Sequence, residues 1–78
     1  MLSPDKLKFL RLIHDVTQKE IGDEMGTSKN YISMMENGKH GYSKAQHDKY
    51  VNAVYKVSAK NKSKEKEVEN EENKKEAD

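Results

Sequence analysis

The chain has 78 residues, 37% of them charged, and a formal net charge of +1. That length gives room for one domain that buries roughly 60% of its unfolded surface. The absence of cysteine excludes disulfides, thiolate metal sites and cysteine nucleophiles. No apolar run approaches the roughly 20 residues that span a bilayer, and the opening MLSPDKLKFLRLI lacks the order of a signal peptide. The expectation is a cytoplasmic protein with no membrane segment.

Ser3-Pro4 is a common helix start, with serine as cap and proline in the first turn. Leu7, Leu10, Ile13 and Val16 follow at helical spacing, which predicts helix 1 over about 4–15. Phe9 and Leu12 make this helix apolar nearly all round. Either helix 4 and the first turn of the tail cover the excess, or it is a dimer or partner surface. Thr17 with Glu20 three residues on is a capping-box pattern. It opens helix 2, which runs to about Met25 with Ile21 and Met25 on its inner side. Gly22 inside that helix should weaken it by about 1 kcal/mol. Gly26 supplies a turn. Thr27 or Ser28 caps helix 3, which runs over about 28–36 and stops at Asn37-Gly38.

His40 to Tyr42 read as loop and Ser43 caps helix 4. Its stripe of His47, Tyr50, Val51, Val54 and Ser58 faces the core. Tyr50 and Tyr55 read as core residues with wet hydroxyls, or as dimer contacts. After about residue 58 only Val68 is a large apolar residue, and a frayed helical extension passing into disorder is expected. The chain therefore divides into a domain over 1–57 and a charged tail over 58–78. The domain holds nine Lys/Arg and seven Asp/Glu, the tail six and seven. The tail begins basic and turns acidic, so it could add screened phosphate contacts or shield a DNA face.

At 100° per residue, helix 3 turns Lys29, Asn30, Ser33, Met34 and Asn37 to one side and Ile32 and Met35 to the other. The polar side suits a major groove. Lysine donates to guanine, asparagine pairs with adenine, serine does either, and methionine can touch a thymine methyl. The same pattern also fits a plain solvated face. His14, His40 and His47 lack metal-ligand spacing; His40, beside Lys39, is the one placed to approach a phosphate. No Ser/His/Asp arrangement or phosphate loop is present. No enzyme activity, cofactor, metal or small-molecule ligand is expected.

The frame Leu7, Leu10, Arg11, Thr17-Gln18, Ile21, Gly26, Ser28, Tyr31-Ile32-Ser33 and Glu36-Asn37-Gly38-Lys39 resembles the lambda-repressor-like, Cro/repressor-type (XRE) helix-turn-helix family over roughly residues 5–57. The resemblance implies an all-α fold of four, or five, helices and a sequence-specific regulator of transcription, commonly a repressor of bacterial, phage or mobile-element origin. It implies a homodimer on a pseudo-palindromic double-stranded operator. By the same resemblance Lys29, Asn30, Ser33 and Met34 hold base-reading positions. Gln18, Ser28, Tyr31, Asn37 and Lys39 hold phosphate-contacting ones, with Tyr42 and Lys44 beside them, and Arg11 and Glu36 form a structural ion pair. The chain departs from the family at Gly22, where alanine is usual, and at Met34, where Arg or Gln is often found. Tyr42-Ser43 stands in place of Pro-Ser, and no fifth helix is recognisable. A rival class is a protein-interaction module, antitoxin-like or anti-repressor, that binds a partner through helix 1.

Overall fold

The computed structural model describes the backbone of residues 1–77 and the side chains of residues 1–63. Its elements are α1 (Pro4–Ile13), α2 (Gln18–Met25), α3 (Lys29–Glu36) and α4 (Lys44–Ala77), with no strand among the described residues. The helical extension expected beyond residue 58 is present, with α4 running to Ala77. The side chains of residues 64–78, Val68 included, lie outside the described residues.

The helix ends follow their local chemistry. Pro4 sits in the first turn of α1, and Ser3 caps it through its carbonyl, 3.0 Å from the Leu7 N–H, with no side-chain cap bond. α1 stops at Ile13, two residues earlier than its apolar spacing predicts. His14 and Asp15 still donate to the Arg11 and Leu12 carbonyls, but Asp15 takes a left-handed φ of 58°, which a short polar side chain tolerates. This turns Val16 back into the core. The capping box is complete: Thr17 accepts from the Glu20 N–H at 3.1 Å, and Glu20 accepts from the Thr17 N–H at 3.0 Å. Gly26 closes α2 with a φ of 73°.

Gly22 has a reason that its helix propensity hides. A Cβ there would lie 3.0 Å from the Ser28 carbonyl carbon and 3.1 Å from the Thr27 oxygen. The turn into α3 thus rests on the bare backbone of α2, and the Thr27 N–H donates to the Gly22 carbonyl at 2.8 Å.

The core is Leu7, Val16, Ile21, Ile32, Met35, Tyr50, Ala53, Val54 and Val57. α4 lies along α2 and is tied to it at the rim. Lys56 and Lys60 approach Glu24 at 3.5 and 3.1 Å, and Asn61 donates to Glu20 at 3.1 Å. These contacts carry the packed part of α4 as far as Asn61. The apolar excess of α1 is left uncovered by the described residues: Phe9, Leu12 and Ile13 stay exposed.

Candidate nucleic-acid interface

The position of α3 is set from inside by one carboxylate. Glu36, buried at the end of α3, accepts from Arg11 Nε at 2.8 Å and Nη2 at 3.0 Å. It also accepts from Gln18 Nε2 at 3.1 Å and from the Tyr50 hydroxyl at 2.6 Å. Arg11 uses Nη1 on the Val16 carbonyl at 2.9 Å. Each of the four helices thus supplies one side chain to this centre. No buried side-chain nitrogen or oxygen among the described residues lacks a partner, which is the condition for such a polar centre to be tolerated.

Burial alone would raise the Glu36 carboxyl. The hydrogen bonds from Arg11, Tyr50 and Gln18 outweigh it and hold the group below its ordinary value. Burial would likewise lower Arg11, and Glu36 overrides it, so the guanidinium stays charged. Burial first and the Glu36 carboxylate second push the Tyr50 hydroxyl well up, so it remains a donor.

Seen from outside, α3 divides as its angular positions predict. Ile32, Met35 and Glu36 are buried; Lys29 and Asn30 are exposed; Ser33 and Met34 are half-buried beside them. Ser28 caps the helix by accepting from the Tyr31 N–H at 3.1 Å. Asn37 folds back on Ser33, donating to its carbonyl at 2.9 Å and to its Oγ at 3.2 Å. Helix and following loop therefore present one continuous polar edge.

An open cleft of about 630 Å³ runs beside this face, lined by Lys8, Leu12, Gln18, Lys19 and Lys29 among others. It brings three lysines from α1, α2 and α3 to the start of α2. The acids of α2 point elsewhere, with Glu24 engaged by Lys56 and Lys60. The cleft thereby sets three lysines against the single exposed carboxylate of Asp15, a local basic excess on a chain of nearly zero net charge.

The loop after α3 is held by a second set of contacts. Tyr31 and His40 meet edge to face, with ring centres 5.0 Å apart. The Tyr42 hydroxyl donates to the Leu2 carbonyl at 2.5 Å, and the Leu2 N–H donates to His47 Nε2 at 3.0 Å. The single hydroxyl proton of Tyr42 is therefore turned to the N-terminal segment. Lys39 is exposed, and Lys44 reaches Asp48 at 3.3 Å.

A helix-turn-helix family model matches residues 7–44. The matched segment is a helix-turn-helix of the Cro/repressor type. The matched segment runs from the first core residue of α1 to the first residue of α4, and it contains all of α2, the Gly26 turn and α3. It is a DNA-binding motif, with α3 as its second helix. No curated protein and no solved structure matches the chain.

Within this helix-turn-helix the expected residues fall into separate groups. Lys29, Asn30, Ser33 and Met34 share the outer face of α3 with Asn37 at its end, and Gln18 lies at the cleft. Ser28 and Tyr31 sit at the start of α3, while Lys39, Tyr42 and Lys44 are spread along the loop. The Arg11–Glu36 pair is present and buried. Sequence reasoning missed Tyr50 as the third partner of that pair. A buried tyrosine needs a hydroxyl partner, and that was the available signal. It also missed Lys8 and Lys19, which are remote in sequence from Lys29 and meet it only through the fold.

Proposed function

We propose that this helix-turn-helix protein binds double-stranded DNA sequence-specifically and regulates transcription, most simply as a repressor in the cytoplasm of a bacterium or encoded by a phage or other mobile element. The observation that carries the reading is the outer face of α3. Four side chains of groove-reading type stand together on a helix whose depth is fixed by Glu36. In this reading α3 enters the major groove, and Lys29, Asn30, Ser33 and Met34 meet base edges. Gln18, Ser28, Tyr31, Asn37, Lys39 and Lys44 line the phosphate backbones on either side, and the cleft adds Lys8 and Lys19, while Tyr42, whose hydroxyl proton is held by the Leu2 carbonyl, braces the loop instead of donating to a phosphate. One copy covers half an operator, so two copies act on a pseudo-palindrome. Residues 1–57 carry the DNA-binding work, and the charged segment from 58 modulates it.

The test is selection of bound duplexes from a random pool, at two salt concentrations, by the natural chain and by Lys29→Ala/Asn30→Ala. The natural chain should enrich a pseudo-palindrome. The double variant should lose about 1–3 kcal/mol of discrimination for each base contact removed. An unchanged preference in the variant would end this account of α3. A second reading has one observation in its favour, the exposed apolar side of α1, which suits a partner protein docked on a helix-turn-helix scaffold.

A further inference from the structure

The apolar surface of the molecule is concentrated in one place. Among the described residues the exposed large hydrophobics are Met1, Phe9 (65%), Leu12 (55%), Ile13 (60%) and Tyr55 (52%). Apart from Met1, all belong to one ridge. Phe9, Leu12 and Ile13 are spaced three and four residues apart, so they stand together on the side of α1 opposite Leu7 and Arg11. The ridge continues onto α4, because His14, next to Ile13, packs edge to face on Tyr55 with ring centres 5.1 Å apart. A groove lined by Ile13, His14, Ser58 and Lys62 joins the two helices there.

We infer that this ridge is a self-association surface, on which a second copy of the chain packs ridge to ridge about a two-fold axis. The inference deepens the DNA-binding reading and rests on it for its operator consequence.

Two observations select a second copy as the occupant. The first is area. Phe9, Leu12, Ile13 and Tyr55, each a little over half exposed, leave on the order of 100 Å² each, the aromatic pair somewhat more than the aliphatic pair. The four residues on two copies then bring roughly 800 Å² of mostly apolar surface. With a polar rim that reaches the low end of the ~1,200 Å² buried by specific interfaces. The second is charge. A two-fold interface must complement itself, and a rim of one sign would repel its own copy. Here the rim is mixed: Asp5 and Asp15 stand near Lys6 and Lys62, and all four are exposed.

The experiment is sedimentation equilibrium of the full chain across the micromolar range, beside Phe9→Glu/Ile13→Glu and the conservative Phe9→Leu/Ile13→Val. The natural chain and the conservative variant should dimerise. The glutamate variant should self-associate about two orders of magnitude more weakly, since it places desolvated charge at the centre of the interface. Its melting temperature should match that of the natural chain in protein dilute enough for both to be monomeric, because neither position is in the core. Phe9→Gln/Ile13→Gln serves the same purpose if the glutamates prevent folding. A natural chain that stays monomeric, or a glutamate variant that dimerises undiminished, overturns the inference.

Duplex selection with the glutamate variant separates this result from the DNA reading. Retention of the half-site with loss of palindrome preference supports both. A natural chain that selects a half-site but never dimerises removes the interface alone. Dimerisation that depends on the ridge, without any DNA selection, keeps the interface and removes the DNA reading.

Discussion

The two sides of α1 reverse the usual distribution of polar and apolar groups. On its inner side Arg11 lies buried against Glu36, surrounded by Gln18, Tyr50 and the Val16 carbonyl. On its outer side Phe9, Leu12 and Ile13 face water. The comparison separates two things that burial can do. An ion pair taken out of water contributes little net stability, because desolvation offsets its attraction, yet it strongly favours one arrangement of the groups that satisfy it. Exposed hydrocarbon contributes nothing to the isolated fold and is a source of association free energy. The inner side of α1 therefore orients α3, and the outer side is free to act on another molecule.

The largest expected effect comes from breaking the inner side unevenly. Glu36→Ala leaves the Arg11 cation buried without its partner and should cost about 3–5 kcal/mol in urea denaturation. Arg11→Met should cost clearly less, because the Glu36 carboxyl keeps Tyr50 and Gln18 as donors. Equal and negligible shifts in the two variants would mean that the pair is open to solvent.

Acid should act on the same side in a graded way. The folded-state value of Glu36 is lowered, so between that value and the ordinary one the unfolded chain binds a proton that the folded chain refuses. Stability from this group is complete above the ordinary carboxylate range, and it is lost as pH falls through the lowered value. The urea midpoint of the natural chain should decline on that acid limb. Glu36→Gln should flatten the decline, and an equally steep limb in that variant would place the effect on other carboxylates.

The smallest effect belongs to the outer side. Phe9→Gln should change the stability of the monomer by no more than about 0.5 kcal/mol. A loss of several times that amount in dilute, monomeric protein would show that the ridge packs on its own chain.

Much of this architecture could be read from short-range signals. The Thr17–Glu20 box, the Ser28 cap and the Gly26 turn place α2 and α3, and the angular positions of Ile32 and Met35 fix which side of α3 looks outward. These features are legible because each depends on residues within one or two turns. The end of α1 falls about two residues before the one its apolar spacing predicts, since that spacing continues through Val16 while the backbone turns at Asp15. The close approach at Gly22, the arrival of Tyr50 at Glu36 and the meeting of Lys8, Lys19 and Lys29 depend on how separate helices pack. No local pattern encodes them. The apolar outer face of α1 was visible as a pattern, but whether it was covered depended on the path of α4.

The Glu36 centre has a consequence for how the molecule opens. Because α1, α2 and α4 each bring a donor to the carboxylate that α3 carries, the departure of any helix removes at least one hydrogen bond from this buried centre. An opening that exposes α3 alone breaks the Glu36 contacts to Arg11, Gln18 and Tyr50 together. Backbone amides in the middle of all four helices should exchange with solvent deuterium through a shared, global event, while the loop at residues 39–43 exchanges independently and much faster. Helix α3 would then meet DNA as a preset surface, and its adaptation to different sequences would be left to the side chains of Lys29, Asn30 and Met34.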